Sequence, residues 1–354
     1  MMTRMHLMLG FAGLLSLTAT GYATVGSVRD TGELYDTDTE SDDPVEQPCL
    51  GDQRTQLARN SRIGIGRVQK PNSVCTGFIL SNGAFVTAGH CVDNDADGVV
   101  DSTFLSGTVD FNVPDSSLDG CIALDSSVRS YPIDSVVAFE HETGLGGSKS
   151  GKDWAVFRVN LNGLGKDAAL EEGFLRPDND GAGIGTTIRV TGYGDDTHPN
   201  NGGQCGGNSR AYTLQTNTGP VEFVLAKKIL HKADTEGGNS GSPIIKESTG
   251  RAVGIHNAGL CNLELFNSGV SFKKDLIQDA INGFHGSNAV HLDAAAPSDG
   301  DGSAFDPYDG LSEAVDATPA GGKLVIVTGT YSGAVTIEKE MDIINPVGAV
   351  DLGD

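Results

Sequence analysis

Gly238-Asn239-Ser240-Gly241-Ser242-Pro243 sets a serine hydroxyl among residues with little or no side chain. Glycine permits the tight turn that exposes such a hydroxyl, and small neighbours let a substrate backbone come close. The amides of Gly238 and Ser240 can converge on one carbonyl oxygen, where negative charge gathers when a hydroxyl attacks. Alone, a Gly/Ser-rich stretch is an ordinary loop, and attack also needs a base. Thr87-Ala88-Gly89-His90-Cys91 supplies an imidazole at the end of a stretch opening at Cys75, and Asp153 opens the apolar run Asp153-Trp154-Ala155-Val156-Phe157. A single His is more often structural and a single Asp at a strand start is more often a turn residue. Only together do the three read as hydrolytic chemistry.

A second acidic motif follows the His directly. Asp93, Asp95, Asp97 and Asp101 alternate with small residues, and Gly98 stands sixth. Oxygen ligands at such spacing can wrap a calcium ion. Phe104 occupies the twelfth place, where a full EF-hand has Glu, so a structural calcium and a solvated acidic loop both remain open readings.

The elements that must position these residues are short. From about Cys49 to Phe284 the chain alternates β-branched or aromatic runs with Gly, Asn and Asp, as in Ser73 to Leu80, Ala84 to Thr87, Asp153 to Val159, Thr187 to Tyr193 and Pro243 to Lys246. That spacing predicts an all-β protein. Leu276, Ile277, Ala280, Ile281 and Phe284 recur at helical spacing and predict a terminal helix over Lys273 to Phe284. With 49 Gly in 354 residues and a net charge of -23, the composition fits a loop-rich all-β chain and excludes nucleic acid or an anionic membrane as partner. No cofactor is required by the chemistry.

Arg4 and His6, the apolar run Leu7 to Leu17 and the small residues of Gly21-Tyr22-Ala23 read as an export signal cleaved near Ala23, too short to span a bilayer. The expected location is therefore extracellular, without membrane insertion. Residues 24–48 are acidic and polar, a linker or propeptide. Six Cys in an exported chain predict three disulfides.

Cys75 to Cys91, read as one stretch, resembles the segment of trypsin-like serine endopeptidases that runs from the first strand pair to the catalytic His. Gly238 to Pro243, the short Asp153 strand, Gly192-Tyr193-Gly194, Gly269-Val270 and the terminal helix extend the resemblance over about residues 60 to 285. It implies a chymotrypsin-like fold of two six-stranded antiparallel β-barrels in a domain spanning 49–285. It further implies Ser240 as nucleophile, His90 as base, Asp153 as the acid that orients it, Gly238 and Ser240 as oxyanion hole, a Cys75–Cys91 disulfide, and polypeptide substrates. Cys205–Cys261 and Cys49–Cys121 complete the expected pairing. The intact set argues against a catalytically dead binding protein.

Asn239 departs from trypsin's close relatives, which carry Asp before the nucleophile to receive a new N-terminus on activation. Gly-Gly-Asn-Ser-Gly-Ser-Pro is closer to bacterial glutamyl endopeptidases, whose acidic selectivity goes with residues that match Thr235 and His256 here. Asp234, at the place where trypsin selects Lys or Arg, implies the opposite preference. His256 also reads simply as a strand residue lining the cleft.

Residues 286–354 form a third region. Lys323 to Tyr331, Gly333 to Ile337 and Met341 to Ile344 are short apolar strands between glycines, and they resemble the opening rungs of a pectate-lyase-like parallel β-helix. Contact with carbohydrate or a cell surface is the expectation for this segment.

Overall fold

Alternation of β-branched and aromatic residues with turn residues produces strands that close on themselves twice. The computed structural model describes residues 52–71, 73–142, 151–196, 208–225, 227–259 and 266–353. The expected export signal and the expected acidic linker or propeptide lie outside the described residues, as do Cys49, Cys205 and Cys261.

A two-residue strand, β1 (Thr55–Gln56), leads into the first barrel. That barrel is built from β2 (Ile65–Gln69), β3 (Val74–Ile79), β4 (Phe85–Thr87), β5 (Thr108–Phe111), β6 (Arg129–His141) and β7 (Asp153–Val159). The ring runs β2-β3-β4-β7-β6-β5 and is antiparallel throughout. β8 (Thr187–Gly192), β9 (Gln215–Leu225), β10 (Lys228–His231), β11 (Pro243–Lys246), β12 (Arg251–Gly259) and β13 (Asn267–Ser271) form the second. It closes because β8 pairs with both β11 and β9, and β1 adds to the outside of β9. These are the two six-stranded antiparallel barrels that the sequence resemblance implies.

Val68, Phe85, Val109 and Phe157 fill the first barrel, and Ile188, Val190, Ile229 and Ile244 fill the second. Phe78, Trp154, Tyr193, Ile255 and Phe272 belong to a third cluster that draws on both. Each such side chain fully removed from water contributes roughly 1.5–3 kcal/mol. The predicted terminal helix is present as Asp275–Asn282, continued by a 3-10 turn to His285. Ile277 and Ile281, one turn apart, face the core, whereas Leu276 is exposed.

Beyond it, β14 (Ala289–Leu292), β15 (Gly322–Ile326) and β17 (Met341–Ile344) form a parallel ladder, and β16 (Gly329–Tyr331) pairs in parallel with β18 (Val350–Leu352). The helix Leu311–Ala317 lies between β14 and β15 in the chain and packs Leu311, Ala314 and Val315 onto Leu292 and Leu324. The expected strand at Gly333 to Ile337 does not form. Its residues are largely exposed, and no neighbouring backbone offers them a ladder.

This region is docked on the barrels. Phe305 stands edge-on to Phe272, with centroids 5.7 Å apart. Arg176 donates to both oxygens of buried Asp293 at 2.5 and 3.0 Å. Val327 and Val347 complete the core of the first barrel beside Ala168 and Ala169. Among the described residues, no helix is long and apolar enough to cross a membrane.

Candidate active site

β4 ends at Thr87, and the chain then makes a single 3-10 turn, Gly89–Cys91, which carries His90. β7 runs antiparallel beside β4, pairing Ala155 with Thr87, so its first residue, Asp153, arrives under the imidazole. The carboxylate holds the turn in three ways. Oδ1 accepts the His90 backbone N–H at 2.9 Å, and Nδ1 lies 3.1 Å from Oδ1 and 3.0 Å from Oδ2. Burial pushes the Asp153 carboxyl up, but the His90 charge, its ring hydrogen bond, His141 and the backbone amide outweigh it. The net direction is down, so the group is an anion and Nδ1 is the nitrogen that faces it. The Cys75–Cys91 disulfide is present and braces the turn from the neighbouring β3. A His90 ring nitrogen lies within 4.8 Å of both sulfurs, which as a disulfide offer a metal no thiolate.

Ser240 reaches the same place from the second barrel. Its carbonyl accepts the Thr76 amide at 2.8 Å and lies 3.8 Å from Cys91 Sγ. The Gly241 amide donates to His256 at 2.8 Å, and the Ser242 amide to Asn239 at 2.8 Å. Gly238 and Gly241 adopt φ of 98° and 91°, a region that disfavours any side chain. At Gly241 a methyl group would also collide with Thr76 and Thr87, so the turn is pressed against the strand that leads to His90. Among the described residues the backbone amides of Gly238 and Ser240 enter no backbone hydrogen bond. Ser240 itself is half-buried.

Thr76 was not singled out by the sequence, although it lies within the Cys75 to Cys91 stretch. Fully buried, it donates from its amide to Ser240 and from Oγ1 to Gly238 O at 2.9 Å, accepts from the Tyr193 amide, and takes the Thr87 hydroxyl on its carbonyl. One residue thus ties the Ser240 turn to the His-bearing strand and to the chain following β8.

Thr235 and His256 are both fully buried near this turn, His256 on β12 with its amide on Ser242 O. His231, on β10, is the second residue that sequence reading missed. Its Nε2 lies 3.3 Å from His256 Nδ1, and the rings meet edge-on. Burial, then the neighbouring His256, hold His231 well below the ordinary imidazole range, so it is neutral. Asp234 is buried, and one of its oxygens accepts the Gln53 amide at 2.9 Å.

The acidic loop after His90 is partly assembled. Carboxylate oxygens of Asp93, Asp95 and Asp97 lie within 4.8 Å of one another. Asp101 is not in that group and accepts the Asn94 amide at 3.0 Å. Asp93, buried, takes the Asp97 and Gly98 amides. Cys121 is disulfide-bonded, and its expected partner, Cys49, lies outside the described residues, as does the Cys205–Cys261 pair.

Two closed antiparallel barrels, one carrying a carboxylate-held histidine and the other a serine on a glycine turn that packs against the neighbouring Cys91, define a serine endopeptidase of the chymotrypsin fold. Residues 75–255, just over half of the chain, match the trypsin-like peptidase domain, and the protein belongs to that family. It is similar to a glutamyl endopeptidase of Bacillus licheniformis, with 21% identity over 282 residues covering 76% of this chain and 79% of that protein. A solved structure of a Glu endopeptidase in complex with MPD shares the fold, with a TM-score of 0.50 at 23% identity, covering 66% of this chain and 96% of that one.

Proposed function

We propose that the protein is an exported endopeptidase that cuts polypeptides after acidic residues, with Ser240, His90 and Asp153 as its catalytic triad. The observation that carries the triad is the three-fold hold of Asp153 on His90. With Nδ1–H directed at the carboxylate, Nε2 is left as the base. It takes the Ser240 proton as Oγ attacks the scissile carbonyl, and Asp153 stabilises the imidazolium that forms. The amides of Gly238 and Ser240 receive the oxyanion. The imidazolium then protonates the leaving amine, and water repeats the sequence on the acyl-enzyme. Ser240→Ala and His90→Ala should each abolish peptidase activity with the fold retained, because triad members act as a unit. Substantial turnover by either folded variant would overturn the triad.

Acidic selectivity is supported by the chemistry of the pocket residues. A hydroxyl at Thr235 and an imidazole at His256 can donate to a substrate carboxylate. Neutral His231 bears on this directly. If its Nε2–H donates to His256 Nδ1, the His256 proton sits on Nε2, the tautomer in which that nitrogen can donate. Asp234, the residue that would select Lys or Arg, already spends one oxygen on the Gln53 amide. Cleavage sites mapped by mass spectrometry in a denatured protein mixture test this reading. Glu before the cut, with Asp second, is expected; Arg and Lys would transfer the role to Asp234. His256→Ala should lower kcat/KM for Glu substrates by about ten- to a hundredfold, the cost of one charge-assisted hydrogen bond, and spare uncharged ones.

Export rests on the Arg4 to Ala23 signal. For residues 286–354 the proposed role is contact with carbohydrate or a cell surface, which pull-down on insoluble polysaccharide checks.

A further inference from the structure

Behind the nucleophile turn lies a buried charge cluster that none of these steps uses. Arg54, its side chain only 1% exposed, stands at the centre. Nε and Nη2 donate to the two Asp52 oxygens at 2.9 and 3.2 Å. Nη2 also lies 3.4 Å from Glu236 Oε1 and 3.9 Å from Asp196 Oδ1. Arg210 closes the outer side, reaching Asp52 Oδ2 at 3.2 Å, Asp196 Oδ2 at 3.3 Å and the Arg54 carbonyl at 2.8 Å. Oxygens of Asp52, Asp196 and Glu236 approach one another within 4.8 Å, a spacing that would suit a metal ion. The guanidinium takes that place, so the cluster is an ion-pair network.

Its position gives it a role. Glu236 opens the turn that ends at Ser240, and its carbonyl accepts both the amide and the side-chain amide of Asn239, at 3.0 and 3.1 Å. Gly237 O accepts the Asp195 amide at 2.7 Å, next to Asp196. Asn239 Nδ2 and Arg54 Nη1 crowd one spot beside Gly194, where a methyl group would collide with both. Residues 236, 237 and 239 are therefore each fastened to a group that touches Arg54 or adjoins one that does. Between and after them come the Gly238 and Ser240 amides.

We propose that Arg54 is a positioning residue for catalysis. Carried in by the segment before the first barrel, its charge neutralises Glu236 and Asp196 and so fixes the turn that presents the Gly238 and Ser240 amides. Asn239 gives the residue before the nucleophile no charge of its own, and Glu236 supplies an anchor three residues earlier. A buried carboxylate stripped of its cation takes up a proton or turns toward water. Glu236 joins the two parts, its carboxylate beside Arg54 and its carbonyl holding Asn239, so a shift of this residue carries the following peptide groups with it.

The proposal rests on Ser240 as nucleophile, and its test uses full-length enzyme with Ser240 intact. Arg54→Gln, Glu236→Gln and the double variant are compared by kcat and KM on one peptide substrate, with folding followed by circular dichroism. Arg54→Gln should lower kcat by about a hundredfold, the scale of losing one oxyanion donor, with KM little changed. The double variant, which removes the Glu236 charge as well, should recover most of that loss. Wild-type kcat in Arg54→Gln, or a double variant no faster than Arg54→Gln, would overturn the proposal. If Arg54→Gln does not fold, the double variant decides: folded and fast supports the role, while unfolded or slow refutes it. Activity surviving in Ser240→Ala would condemn the nucleophile instead, so the two failures read apart.

Discussion

At Asp153 two forces oppose each other: burial favours the neutral acid, and His90 with its hydrogen bonds favours the anion and wins. Because the folded carboxyl is more acidic than the unfolded one, it adds stability above the unfolded value, and that stability is lost as pH falls through the folded one. Asp153→Asn should therefore flatten the acid side of a melting-temperature profile. The same change presents an amide where Nδ1–H needs an anion, and kcat should fall by roughly four orders of magnitude at neutral pH, as when this member of a Ser-His-Asp triad is so altered. Ordinary turnover by a folded Asp153→Asn enzyme would refute the role. His231 makes a parallel case in the pocket. His231→Phe keeps an aromatic ring but removes the partner of His256 Nδ1, so selectivity for Glu over uncharged residues should fall about tenfold, one hydrogen bond's worth. A cleavage-site map unchanged by the substitution would separate the imidazole pair from recognition.

Among the elements, Asp153–Val159 and Pro243–Lys246 have the bounds that the sequence predicts, because each is a short apolar run with turn residues at its ends. β9 was harder to see, since Gly219-Pro220 stands at its middle and reads as a turn. The ladder tolerates it. Pro220 needs only to accept, which it does from the Lys232 amide, while Val221 donates to Thr186. The site divides in the same way. His90, Asp153 and Ser240 each sit in a local motif, whereas Arg54 and Glu236 meet across about half of the chain, and no local pattern announces such a pair. The loop after His90 lies between these cases. Three of its four acids gather without Asp101, and their mutual repulsion is relieved in part by backbone amides. Calcium bound there should raise the melting temperature at millimolar concentration, and Asp95→Asn with Asp97→Asn should erase that rise. Identical melting of the parent enzyme with calcium and with chelator would leave a solvated acidic loop.

For the molecule as a whole, the parallel-stranded region and the barrels share core residues, so they should unfold in one transition. Arg176→Ala strands the buried Asp293 carboxylate and should cost about 3–5 kcal/mol, the scale of breaking a buried pair from one side. A separate early transition for residues 286–353 would contradict a shared core. His291 supplies a pH dependence from within that region. Burial pushes it down to about 4, so the unfolded chain binds its proton first. Stability present above pH ~6.5 is then lost toward pH ~4, amounting to about 3 kcal/mol from this group, and His291→Asn should lose less over that interval. Val327 and Val347 carry one further consequence, which concerns time. Synthesis, which runs N-terminus first, delivers His90, Asp153 and Ser240 long before either valine. Until the valines arrive the core beside Ala168 and Ala169 lacks part of its filling, so the first barrel finishes packing only well after Ser240 has been made.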